Sequence, residues 1–200
     1  MSGIHSLPII TVMSMTGLFH IQQHNNKDNL MTTIKNIAKP NSWIEPKELT
    51  DALGAFDTAP FSLVNRPWDI ATTHYSLDDQ PLMMDWSTFG RTWLYPPQGN
   101  PAKPYLEEMV AHGNGIVLLP SRTETQVFTD YVWQGADGVL FIKSRLTFHH
   151  ADGTKASGQS GWGSALVAYG DDNVATLRDC DIQGCFIDLR ISNHQLIHAA

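Results

Sequence analysis

Three apolar stretches of this 200-residue chain end in groups that can do chemistry. The run from Arg91 to Tyr95 enters Pro96-Pro97 and then Gln98. Neither proline can donate a ladder hydrogen bond, so a strand must stop there and leave its last side chains at a sheet edge. Ile116-Val117-Leu118-Leu119 likewise runs into Pro120-Ser121-Arg122, and Val139 to Ile142 into Lys143-Ser144-Arg145. In an α/β sheet, ligands sit beyond the carboxyl ends of the strands, where these groups fall. Charges at strand ends are also often simply solvated. Arg91, Arg122, Lys143, Arg145 and Lys155 together can supply a local basic patch for nucleic acid. Trp162, inside Gly158-Gln159-Ser160-Gly161-Trp162-Gly163, is the tryptophan best placed to stack on a base rather than fill a core.

Other chemistries find less support. His149 and His150 are adjacent, so on a strand they point to opposite faces. His194 and His198 have helical i,i+4 spacing, but no glutamate follows His194, and no metal site is expected. Two cysteines, Cys180 and Cys185, are too few for a disulfide framework or a four-ligand zinc site. No Gly-x-Ser-x-Gly elbow marks a serine hydrolase. The 158–163 glycines lack the lysine and following helix of a phosphate-binding loop.

Composition bounds the rest. A chain of this length can bury about two-thirds of its unfolded surface without covalent or metal staples. With 42% hydrophobic and 16% charged residues it reads as globular rather than disordered. Its net charge of −7 excludes a generally basic nucleic-acid sleeve, so any such contact must be local. No stretch reaches the roughly 18 apolar residues of a membrane span. The run Leu7 to Phe19 has no basic residue before it beyond a histidine and no small-residue cleavage site, so a secretory leader is not expected. A cytoplasmic protein with reduced thiols and no membrane partner is the resulting expectation.

The elements that must position these groups alternate. Pro46 to Leu53 reads as a short helix, with Pro46 suited to its first turn. Residues 102–111 form a second helix, stopped by Gly113-Asn114-Gly115, and Thr123 to Val132 a third. Between them lie the apolar strands already named and Ala165 to Tyr169; Ile187, Leu189 and Ile191 alternate with polar residues as a last strand. Strands alternating with helices of about ten residues predict an α/β fold with a mostly parallel sheet. In it Trp93–Tyr95, Ile116–Leu119 and Val139–Ile142 are expected as neighbours. Three zones follow: an N-terminal extension or linker over 1–38, a domain over 39–170, and a C-terminal extension with one strand over 171–200.

The order of short motifs carries a resemblance. Trp43-Ile44-Glu45-Pro46 precedes Phe56-Asp57-Thr58-Ala59-Pro60-Phe61 and Arg66-Pro67-Trp68. Gly90-Arg91-Thr92-Trp93-Leu94-Tyr95-Pro96-Pro97-Gln98 and His112-Gly113-Asn114-Gly115 follow, then Arg122-Thr123-Glu124-Thr125, Arg145-Leu146-Thr147-Phe148 and Ser164 to Gly170. Over about residues 41–170 this series resembles the phage and prophage family of DNA N6-adenine methyltransferases, the Dam type. The resemblance implies a Rossmann-like, three-layer methyltransferase fold, S-adenosylmethionine as cofactor, DNA as partner, and transfer to a flipped adenine. It implies that Tyr95, Pro96, Pro97 and Gln98 form the catalytic loop, that Asp57, Ala59, Pro60 and Arg122 lie on the cofactor side, and that Arg91, Arg145, Lys155 and Trp162 face DNA.

In that family the loop reads Asn-Pro-Pro-Tyr. The lone pair of an adenine amine is delocalised into the ring. The asparagine oxygen and the first proline's carbonyl accept its two hydrogens and localise that pair, while the aromatic residue stacks on the flipped base. Here Tyr95 and Gln98 occupy those two positions, and Ala59 replaces a cofactor-side acid. Asp57, two residues earlier, would share a strand face with position 59 at roughly 6–7 Å. A second reading therefore accompanies the first: a catalytically degenerate relative that binds nucleic acid or protein.

Overall fold

The computed structural model describes residues 43–190, so the N-terminal zone, Ile191 and the His194/His198 pair lie outside the described residues. Seven strands are placed: β1 Thr58–Ala59, β2 Thr73–His74, β3 Thr92–Leu94, β4 Gly115–Pro120, β5 Gly138–Ile142, β6 Ser164–Tyr169 and β7 Gly184–Asp188. They form one sheet in the order β2-β1-β3-β4-β6-β5-β7. The helices are α1 Lys47–Asp51, α2 Lys103–His112, α3 Gln126–Phe128 and α4 Asp171–Asp179.

Both faces of the sheet are covered. On β4, Val117 and Leu119 join Leu106, Met109, Phe128 and Val132 from α2 and the α3 region in one core. Ile116 and Leu118 pack through the other face with Leu49 and Leu53, from and just after α1, and with Val174 and Leu177 of α4. Strand side chains alternate between faces, so an apolar run such as 116–119 has apolar partners on both sides. The fold is thus mixed α/β with a sheet sandwiched between helices.

The expected direction of the sheet is corrected. β1–β2, β1–β3 and β3–β4 are parallel. β4–β6, β5–β6 and β5–β7 are antiparallel. The sheet is therefore parallel at one end only, and β5 is not the neighbour of β4, because β6 inserts between them. The physical reason lies in residues 143–163, which contain no helix. A parallel return needs a crossover connection, usually helical, whereas a helix-free excursion brings the next strand back antiparallel. Apolar composition reports burial on both faces and says nothing about strand direction.

Other boundaries move for local reasons. α1 is shorter than predicted, with Pro46 as its extended N-cap. α2 ends at Gly113, whose φ of +67° is the left-handed conformation glycine adopts without a steric penalty. The third helix starts at Gln126 rather than Thr123, because the Thr125 hydroxyl caps it by accepting from the Phe128 N–H at 3.3 Å. It then widens into a π-helical turn over Thr129–Trp133. The last strand lies earlier than its alternation suggested. It ends at Asp188 with Ile187 exposed and Leu189 buried just beyond it.

Candidate functional site

β3 delivers the first wall of the site. Trp93 and Tyr95 point to one face and Leu94 to the other. The indole N–H of Trp93 donates to Glu45 Oε1 at 2.5 Å, while the Tyr95 ring stacks on Phe148 at 5.5 Å and 23°. One small pairing sets both contacts. Ile44 and His149 exchange backbone hydrogen bonds of 2.8 Å in each direction, which brings Glu45 onto Trp93 and Phe148 onto Tyr95. Burial pushes the Tyr95 phenol up to about 12, so it stays protonated near neutral pH. Burial likewise raises Glu45 above the ordinary carboxylate range, although Trp93 donates to it.

Beyond Tyr95 the chain opens a cavity of about 250 Å³. The Tyr95-to-Gln98 loop forms one side, the end of β4 with Pro120 and Arg122 another, and the starts of α2 and α3 close it. Gln98 is exposed there and its Nε2 reaches the Tyr95 hydroxyl at 3.5 Å. The Ser121 N–H donates to the Gly163 carbonyl at 3.0 Å, pinning the glycine-rich stretch to the end of β4. That contact brings Trp162 to the cavity, with the Arg122 guanidinium 4.9 Å above its ring. Tyr95, Pro96, Pro97, Gln98, Arg122 and Trp162, nominated from sequence for three different roles, thus line one space.

The other nominated residues lie elsewhere. Asp57 and Arg91 sit at the amino ends of β1 and β3, opposite the cavity. The Arg91 N–H donates to Asp57 Oδ2 at 2.7 Å, so that carboxylate is already engaged. Gly90, at φ +66°, has no room for a side chain, since a Cβ would approach Asp57 Cβ to 2.9 Å. The Arg91 side chain is tied to Asn173 Oδ1 and the Ala55 carbonyl, each at 2.8 Å, with its guanidinium 4.3 Å over Phe56. These contacts bind strands β1 and β3 to α4. Ala59 and Pro60, at the carboxyl end of β1, are buried. Arg145 and Lys155 are exposed in the 143–163 segment, outside the cavity lining.

Lys103 and Glu45 are among the contributors not nominated from sequence. Lys103 lines the cavity from the first turn of α2, with Nζ 3.5 Å from Gln126 Oε1. Its signal was present, because Pro101 and Pro104 mark a helix start directly after the loop. Glu45 stands in the Trp43-to-Pro46 motif, but its contact with Trp93 depends on the tertiary pairing of Ile44 with His149. Among the described residues no cluster of three or more histidine, cysteine or acidic side chains could hold a metal, and no helix is long and apolar enough to cross a membrane.

The site lacks an acid where the resemblance puts the cofactor. Ala59 is wholly buried and offers no polar group, Asp57 is engaged at the opposite end of the strand, and no carboxylate lines the cavity. β1 therefore carries no carboxylate at position 59, where the resemblance puts the cofactor.

A family model described as DNA N-6-adenine-methyltransferase (Dam) matches residues 32–173, which is most of the chain. No curated protein and no solved structure matches it.

Proposed function

We propose that this chain, which belongs to the DNA N-6-adenine-methyltransferase (Dam) family, is a DNA adenine-N6 methyltransferase-like protein of phage or prophage origin, with a Rossmann-like methyltransferase fold. Its family generally uses S-adenosylmethionine, and its reaction is methyl transfer to an adenine flipped out of the duplex. One observation carries the reading: the Tyr95-to-Gln98 loop walls a cleft at the carboxyl ends of β3 and β4, inside the matched residues. A flipped base needs such a pocket, with apolar walls and a few polar groups.

In this reading the protein's own groups bind and orient the base. Tyr95, a neutral phenol near pH 7, has lone pairs to accept from the adenine amine, and the Pro96 carbonyl is the second acceptor. Gln98 presents an amide plane in place of an aromatic face. Pro97, Phe128 and Trp162 exclude water from the base. Arg145 and Lys155, exposed in the 143–163 segment, take DNA phosphates. Positioning rather than covalent chemistry supplies the rate, as a direct displacement requires.

The second reading, a binding module without transfer activity, is favoured by the missing acid at Ala59. Calorimetry with S-adenosylmethionine and incorporation of labelled methyl groups into duplex DNA separate the two. The first reading expects bound cofactor and methylated adenine. It also expects a gain of about 10²–10³ in the triple variant Tyr95→Asn, Gln98→Tyr, Ala59→Asp, by analogy with placing donors in an oxyanion hole. No cofactor bound and silence in both proteins would leave the binding module. Robust activity of the unaltered chain, abolished by the triple change, would instead make Tyr95 a working catalytic residue.

A further inference from the structure

The charges of this acidic chain are not spread evenly. Lys47, Arg66, Arg178 and Arg190 each pair with a carboxylate, namely Asp51, Asp69, Asp179 and Asp188. Lys103 and Arg122 do not, and neither do the exposed Lys143, Arg145 and Lys155 outside the cavity. Among the described residues none of these five is ion-paired; Lys103 reaches only the neutral Gln126 amide, and Arg122 rests on the Trp162 ring. Both line the same cavity, on different walls, and no aspartate or glutamate lines it with them. Two uncompensated cations lining one open cleft make it electropositive within a molecule of net charge −7.

The remaining walls state what else the ligand carries. Pro96, Pro97, Phe128 and Trp162 provide flat apolar and aromatic surface, and the Gln98 and Gln126 amides provide hydrogen-bonding edges. A molecule with an anionic group at one end and a flat, nitrogen-rich ring at the other matches both halves. At about 250 Å³ the space lies near the lower end of small-molecule pockets.

We propose that Lys103 and Arg122 form a phosphate subsite inside the cleft, which grips the backbone phosphate of the nucleotide whose base enters between the Tyr95-to-Gln98 loop and Trp162. The subsite rests on the same cleft as the reading above, but not on methyl transfer. Guanidinium and ammonium groups bind phosphate through short charge-assisted hydrogen bonds, and Arg122 is free to leave an indole face for that stronger partner. A base then occupies the ring face that Arg122 vacates.

Calorimetry on the full chain tests this with adenosine, adenosine monophosphate, inorganic phosphate and a short adenine-containing single strand. The monophosphate should bind about ten-fold tighter than adenosine, as expected for two charge-assisted contacts. The Lys103→Gln, Arg122→Gln variant should lose that preference. Lys103→Arg with Arg122→Lys should retain it. For the single strand, the slope of log affinity against log salt should fall by about 0.7 in the double variant, which removes one phosphate contact. Equal binding of adenosine and its monophosphate by the unaltered chain would overturn the subsite. So would an undiminished preference in the double variant. Tight monophosphate binding that the single strand cannot displace would overturn the assignment to a backbone phosphate. A phosphate preference without methyl transfer leaves the subsite standing and defeats the transferase reading, whereas methyl transfer without the preference does the reverse.

Discussion

At the residue scale, Trp93 and Tyr95 show how alternate positions of one short strand divide structure from function. Trp93 is fixed by Glu45 below it, while Tyr95, one pleat on, reaches the cavity. Glu45 is buried, and its carboxyl is held above its ordinary value of 4.5 chiefly by desolvation. A raised folded-state value means the folded protein holds this proton more tightly than the unfolded chain does. The associated stability is therefore fully present below about pH 4.5 and is lost as pH rises through the raised value. Glu45→Gln keeps an acceptor for the Trp93 N–H without the ionisation. Its denaturation midpoint should change less with pH above 4.5 and should exceed that of the unaltered chain at neutral pH. Glu45→Leu, which orphans that N–H, should cost about 1–3 kcal/mol in urea titrations.

At the element scale, β6 is the structural keystone of the sheet. All six of its residues are buried, and it pairs with β4 over six positions and with β5 over four. Leu166 is wholly buried and joins the core shared with α1 and α4. Leu166→Ala should cost about 2–5 kcal/mol, measured by equilibrium urea unfolding. Amide exchange should be slowest in β4 and β6 and faster in the two-residue strands β1 and β2, whose short ladders open locally. The same central position of β6 separates β4 from β5 and so spaces the strand ends that build the cleft from those that carry Arg145.

At the scale of the whole molecule, a deficit of positive charge coexists with a rim that keeps some of it free. Lys143, Arg145 and Lys155 are exposed in the segment that follows β5. β5 runs in the same direction as β4, because each is antiparallel to β6 between them. Lys143 and Arg145 therefore emerge on the side of the sheet where the cleft opens. Replacing both by glutamate should weaken binding of duplex DNA and reduce the salt slope by about 1.8, at roughly 0.9 per phosphate. Folding stability should stay within about 0.5 kcal/mol, since both are exposed surface positions. Filter binding across a salt series, paired with urea unfolding, checks both. An unchanged slope would remove these two residues from the DNA face.

What the sequence determined by itself is what local chemistry dictates. The proline pair ends β3, Gly113 ends α2, apolar runs are buried on both faces, and the ordered motifs announce the family that matches residues 32–173. The strand ends were legible as candidate ligand positions because ligands of α/β sheets sit beyond the carboxyl ends of the strands. Tertiary structure alone decided three things. It turned β6 antiparallel into the sheet, because burial patterning carries no strand direction. It tied Arg91 to Asp57 and to Asn173 of α4 at the end opposite the cleft, because those partners lie far away in sequence. It brought Lys103, Arg122 and Trp162 around one cavity, because convergence across widely separated segments depends on how helices and loops pack over the strand ends, and no periodicity within a segment encodes it.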